Sequence, residues 1–144
     1  MKQDIPDAKG IPEESRVFLL NRHTFEDVIN YIEERCRASG CGEKEIYHIS
    51  VSSSEILANI DSYAYADGGQ VEIMTSRRDN RMIISFKDEG KPFDPLSVKP
   101  PDVTAPLSER KPGGLGIFIV RNMMNDVRYE YVDGKNVLTI EKEF

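Results

Sequence analysis

The chain has 144 residues, 39% of them hydrophobic and 31% charged, with a net charge of −6. That length suits one domain with a real core, and the negative balance argues against a general nucleic-acid binder, whose phosphate contacts need a basic surface. No apolar stretch approaches bilayer-crossing length and the N-terminus lacks the apolar core of a signal peptide, so no membrane association and a cytoplasmic location are expected.

The opening residues, up to about Glu14, are polar and carry Pro6, Gly10 and Pro12, which reads as a loose arm. The expected boundaries are an arm over residues 1–15 and one domain over residues 16–144. Residues 17–20 are a short strand candidate. Thr24 stands as the N-cap of a helix whose apolar positions Phe25, Val28, Ile29 and Ile32 fall at helical spacing, with a stop at Ser39-Gly40. Cys36 and Cys41 form C-x4-C without a second cysteine pair or a nearby His, which favours ordinary reduced thiols over zinc or a disulfide. A second helix carries Ile46, Ile49, Ile56, Leu57 and Ile60 on one stripe and is expected to end near Asp67-Gly68-Gly69.

Strands follow at residues 71–74 and 82–86, around a polar turn at Asp79-Asn80. Residues 95–112 hold Pro95, Pro100, Pro101, Pro106 and Pro112 and show no periodicity, the mark of a functional or disordered loop. A helix from Leu115 to about Asn125 is apolar nearly all round at its start and is expected to be well buried. The chain closes with strands at residues 127–132 and 137–141 across Asp133-Gly134, a strong hairpin signal. Early helices, a run of strands and one late helix predict a two-layer α/β sandwich. Its sheet is expected to be mixed but mostly antiparallel, with helices on one face.

Two motifs stand out against this background. Asp88-Glu89-Gly90-Lys91-Pro92-Phe93-Asp94 follows the second strand of the pair, so Asp88 is expected at a strand end, where its carboxylate can accept a hydrogen bond from an exocyclic amine. Gly90 lets a flat ring approach the backbone, and Pro92 and Phe93 offer an apolar wall. Gly113-Gly114-Leu115-Gly116 then opens the late helix, whose unpaired N–H groups and dipole suit a phosphate. On the second helix Glu55 and Asn59 are one turn apart and point the same way, on a face shared with His48, Ser52 and Ser62. A carboxylate there can serve as general base and an amide oxygen as a Mg²⁺ ligand, although a polar stripe opposite an apolar one is what any solvated helix shows.

Other patterns fail. Ile119 occupies the place of the third glycine in G-x-G-x-x-G, and the cluster follows a Pro-rich loop rather than a strand. There is no G-x-x-x-x-G-K-[S/T] and no G-x-S-x-G, so the run Ser52-Ser53-Ser54 reads as helix surface. His23 and His48 have no paired ligands.

Taken in order, Glu-x-x-x-Asn on a helix, Asp-x-Gly-x-Pro-Phe-Asp after a strand and Gly-x-Gly opening a helix resemble the N, G1 and G2 boxes of the GHKL ATPase superfamily. The small size, with Gly-Gly-Leu-Gly-Ile, is most similar to the anti-sigma-factor serine/threonine kinases of the SpoIIAB/RsbW type, from about Val17 to the C-terminus. The resemblance implies the Bergerat ATP-binding fold, ATP and Mg²⁺ as cofactors, Asn59 as the Mg²⁺ ligand and Glu55 as the catalytic base. It implies that Asp88 reads the adenine amine, that Gly90 admits the ring, and that Gly114, Leu115 and Gly116 belong to a mobile lid around the phosphates. It also implies an anti-anti-sigma (STAS-type) antagonist protein as substrate, a sigma factor as second partner, and a homodimer.

Three positions depart from the family pattern. Asn136 stands where a Thr near the adenine is common, and it retains the capacity to bond a water or the base. Tyr63 replaces a His, and Arg110 and Lys111 sit behind Pro112 rather than against the glycine pair. These departures bear on phosphotransfer more than on binding, so a non-catalytic, nucleotide-gated switch is the competing reading. The ATP-binding half of a histidine kinase would need an upstream dimerisation helix with a phosphoacceptor His, which this chain does not carry.

Overall fold

The computed structural model describes residues 12–21, 23–61, 69–97 and 115–144. These form five strands and three α-helices: β1 (Glu14–Leu20), α1 (Phe25–Ser39), α2 (Glu43–Asn59), β2 (Gly69–Arg78), β3 (Arg81–Asp88), α3 (Leu115–Met123), β4 (Asp126–Val132) and β5 (Lys135–Glu143). The strands lie in the order β1-β2-β3-β5-β4, and each pairing is antiparallel, so the described sheet has none of the parallel pairing that a mixed sheet would carry. Residues alternate along β2, β3 and β5, with Val71, Ile73, Met82, Ile84, Phe86, Leu138 and Ile140 turned to the buried side. There they meet Val28, Tyr31 and Ile32 of α1, Ile49, Ile56 and Leu57 of α2, and Ile117 and Val120 of α3 in one core. The opposite face of the sheet is half exposed, giving the expected two layers.

Both hairpins follow from local chemistry. Asp79 (φ 53°) turns β2 into β3. Asp133 (φ 55°) and Gly134 (φ 77°) both adopt positive φ between β4 and β5, the turn whose twist matches flanking strands. The α1 helix ends on Gly40 at φ 97°, where the Gly40 N–H donates to Arg37 O and the Cys41 N–H to Cys36 O. Both cysteines are free thiols buried beside each other at this joint; a hydrogen bond to Cys41, then burial, push the Cys36 thiol up, so it stays protonated.

Four local expectations need correction. Thr24 holds the N-cap position of α1, but its hydroxyl turns back and donates to Leu19 O at 2.6 Å instead of capping the helix. The first strand begins at Glu14, inside the segment expected to be an arm, because α1 fastens it. Arg35 donates to Pro12 O at 2.6 Å and to Thr75 Oγ1 at 2.8 Å, and the Tyr31 hydroxyl bonds the Glu14 carboxylate. Ser52 and Ser53 are fully buried rather than helix surface, since they lie one turn from Ile49 and Ile56 on the inward side of α2. The α3 helix is buried on one side only: Ile117 and Val120 turn inward, whereas Leu115 is 45% exposed. The expected end of the second helix, Asp67-Gly68-Gly69, lies partly outside the described residues; α2 itself closes at Asn59 and widens into a π-type turn over residues 60–61.

Candidate functional site

The sheet order decides where the site forms. The chain leaves β3 at Asp88, and β5 returns to lie beside β3 with Asn136 directly opposite Asp88. A cleft opens between this end of the sheet and the last turn of α2. Asn59, Asp88 and Asn136 supply its polar lining. Its apolar walls are Ile56 and Ile60 from α2, Phe86 and Leu138 from the sheet, Phe93 and Pro95 from the loop after β3, and Tyr129 from β4. Phe93 therefore forms a wall as expected from its motif, while Pro92 is exposed and Pro95 takes that place.

Asp88 is 5% exposed. Its Oδ1 accepts the Gly90 N–H and the Asn136 amide, both at 2.9 Å. Asp88 also lines the cleft. Gly90 thus turns the loop by donating its N–H back to Asp88. Asn136 also donates to Lys91 O at 2.9 Å, and its Oδ1 accepts the Phe93 N–H at 3.0 Å and the Tyr129 hydroxyl. Asn136 lines the cleft, yet its hydrogen bonds go to protein groups. Burial pushes the Tyr129 phenol up, and the Asp94 and Asp88 carboxylates add to the shift, so it remains a donor at neutral pH. The second aspartate of the motif is occupied locally. Asp94 accepts the Leu96 N–H at 2.8 Å and opens the short 3₁₀ turn Pro95–Ser97, which Arg121 of α3 holds through Leu96 O at 3.0 Å.

Glu55 and Asn59 project from the same side of α2, as their spacing requires. Asn59 reaches the cleft. Glu55 lies next to it, under the start of α3. A Cβ placed on Gly116 would stand 2.6 Å from Glu55 Oε1, so the carboxylate holds this position only with a glycine above it. Leu115 opens that turn and is largely exposed. Gly113 and Gly114, with Tyr63, Arg110, Lys111 and Pro112, lie outside the described residues, as does the loop expected over residues 95–112 from position 98 onward. His48 sits farther along α2, away from the cleft lining. Burial holds its imidazole below the usual range, Lys142 and Lys44 reinforce the shift, and its buried Nδ1 has no hydrogen-bond partner among the described residues.

The chemistry of this arrangement suits a purine nucleotide. A buried carboxylate lines a mostly apolar cleft, and a helix N-terminus stands beside the Glu55 carboxylate. Among the described residues there is no cluster of three or more His, Cys, Asp and Glu side chains that would cage a metal ion. Asn59 brings one neutral amide oxygen to the cleft, a hard donor of the kind magnesium accepts beside substrate phosphates and water. Tyr129, Ile60 and Leu138 were not legible as site residues. Each sits in an ordinary strand or helix pattern; strand pairing brings Tyr129 and Leu138 to the cleft, and the packing of α2 on the sheet brings Ile60.

Comparison with known proteins agrees with this geometry. Residues 20–142 match the histidine kinase-like ATPase domain, and the chain belongs to that family of ATP-binding domains. The serine/threonine-protein kinase BtrW of Bordetella bronchiseptica is 27% identical over 119 residues, covering 81% of this chain and 84% of the relative. The serine-protein kinase RsbW of Bacillus thuringiensis is 27% identical over 133 residues, covering 89% and 79%. Among solved structures, the RsbU and RsbW domains of Rv1364c from Mycobacterium tuberculosis superpose with a TM-score of 0.66 at 14% identity, over 92% of this chain and 32% of that longer one. The shared architecture is the Bergerat fold. At this level of identity the chain is similar to the RsbW and BtrW serine kinases.

Proposed function

We propose that the chain is an ATP-dependent serine/threonine protein kinase that acts as an anti-sigma regulator and phosphorylates a small STAS-type antagonist protein. The observation that carries this reading is the packing of Gly116 against Glu55. It sets a carboxylate beside the helix N-terminus that suits phosphate, one turn of α2 from Asn59.

Bound ATP with Mg²⁺ supplies the electrophilic phosphorus and neutralises charge on the phosphates. Asp88 would accept the adenine amine, the apolar walls would hold the ring, and Gly90 would shape the loop that admits it. Asn59 contributes a neutral amide oxygen to the metal. N–H groups at Leu115 and Gly116, continuing the segment that includes Gly114, face the phosphates. Glu55 takes the proton from the incoming Ser or Thr hydroxyl. Similarity to the serine kinases RsbW and BtrW supports a protein substrate, and a sigma factor as second partner and a homodimer belong to the same reading.

The Tyr63 and Pro112 departures favour the second reading, a nucleotide-gated switch of the same fold that binds its partner without phosphorylating it. Incubation with labelled ATP and candidate STAS-type proteins separates the two. The kinase reading expects phosphoserine or phosphothreonine mapped on the partner by mass. Nucleotide binding with no transfer to any candidate hands the site to the switch reading.

A further inference from the structure

We propose that Asn136, held by the Tyr129 hydroxyl, is the positioning residue that aims Asp88 at the nucleotide base and fixes the loop over residues 88–93. Selection of the base then rests on a cross-strand amide as much as on the carboxylate. This inference rests on the cleft being a nucleotide site.

The orientation of the amide is forced. The Phe93 backbone N–H can only donate, so the atom facing it at 3.0 Å is Oδ1. Nδ2 then faces two acceptors, Asp88 Oδ1 and Lys91 O, both at 2.9 Å. The Tyr129 hydroxyl fills the second acceptor direction of Oδ1, committing its proton. Two donors and two acceptor directions are thereby used, and Asn136 is only 6% exposed. It has nothing left to offer a ligand. Its action runs through Asp88: with Oδ1 held by Asn136 and Gly90, the carboxylate cannot rotate without breaking buried bonds. The same side chain grips the loop at Lys91 and Phe93, so the wall residue Phe93 and the base acceptor are set by one group.

The test compares ATP with purine riboside triphosphate, which has hydrogen in place of the exocyclic amine and so cannot bond Asp88. Dissociation constants for both are measured on the parent protein, on Asn136→Ala and on Tyr129→Phe. The parent is expected to prefer ATP by about tenfold, the scale of one buried hydrogen bond. Asn136→Ala is expected to bring that ratio close to one, chiefly by weakening ATP. Tyr129→Phe removes one hydroxyl and keeps the ring packing, so it tests the same ratio if Asn136→Ala fails to fold; it is expected to reduce the preference about threefold. An equal loss for both nucleotides, or an unchanged ratio in both variants, overturns the proposal and leaves the nucleotide reading standing. A parent protein that binds neither compound removes the nucleotide reading and this proposal together.

Discussion

Glu55 carries two expectations that separate chemistry from packing. Glu55→Gln keeps a good helix former and a side chain of the same size under Gly116, so nucleotide affinity should stay near that of the parent. Phosphotransfer to the antagonist should fall by roughly 10²-fold or more, the range for a lost general base. Single-turnover transfer and equilibrium binding on the same preparation check both halves. Gly116→Ala attacks the same carboxylate from the other side. The added methyl would meet Glu55 Oε1 at 2.6 Å, and because the far end of a flexible side chain gives way more readily than backbone, Glu55 swings aside while α3 stays in place. Transfer should then drop by about 10²-fold, as a displacement near 1 Å at a reacting group can cost, while the far-UV spectrum and the cooperativity of melting stay as in the parent. A variant that retained full transfer would place the base elsewhere.

At the scale of elements, the outer face of the sheet is tied across three strands. Glu141 of β5 accepts from Arg81 of β3 at 2.9 Å and from Arg128 of β4 at 2.5 Å, and Arg81 also reaches Glu143 at 2.6 Å. Burial works to raise the Glu141 carboxyl, but the bonds and charges of the two arginines outweigh it and hold the group below its ordinary value of 4.5. A depressed folded value means the network stabilises the protein above about pH 4.5 and is lost as the pH falls through the folded value. Glu141→Gln should lower stability at neutral pH by about 0.5–1 kcal/mol, the scale of exposed ion pairs, and should flatten the acid limb of the stability profile. Urea titrations between neutral pH and pH 3 would show it.

The elements themselves were largely readable. The Asp133-Gly134 turn, the Gly40 stop and the alternation of β3 and β5 are local signals, and each is realised by local geometry. Asp88 at a strand end followed from the run before it. What sequence could not supply is register: Asp88 and Asn136 come from strands far apart in the chain, and nothing in either strand's periodicity says they face each other. The same gap hid Tyr129, and it made Asn136 look like a group free to touch a ligand. In α3 the apolar run promised burial all round, whereas a helix laid on one layer has only one side to bury.

The molecule as a whole should report its ligand through stability. ATP at about a hundred times its dissociation constant should add about 2.7 kcal/mol, raising the melting temperature by roughly 5–10 °C. GTP should raise it less, since its ring carbonyl would face Asp88 as acceptor against acceptor. Asn59→Ala should remove the part of the shift that depends on Mg²⁺, and EDTA should abolish that part in the parent. Equal shifts with ATP and GTP would remove Asp88 from the role of base reader. The order β1-β2-β3-β5-β4 has a bearing on biosynthesis as well. The strand β5 follows the other four in the chain but takes an inner place between β3 and β4, and it alone brings Asn136 to Asp88. A nascent chain leaving the ribosome can pair β1, β2 and β3 early, yet the cleft lacks the Leu138 wall and the Asn136 clamp until residues 135–143 have emerged. A ligand of this cleft can therefore assist folding only after β5 has been translated.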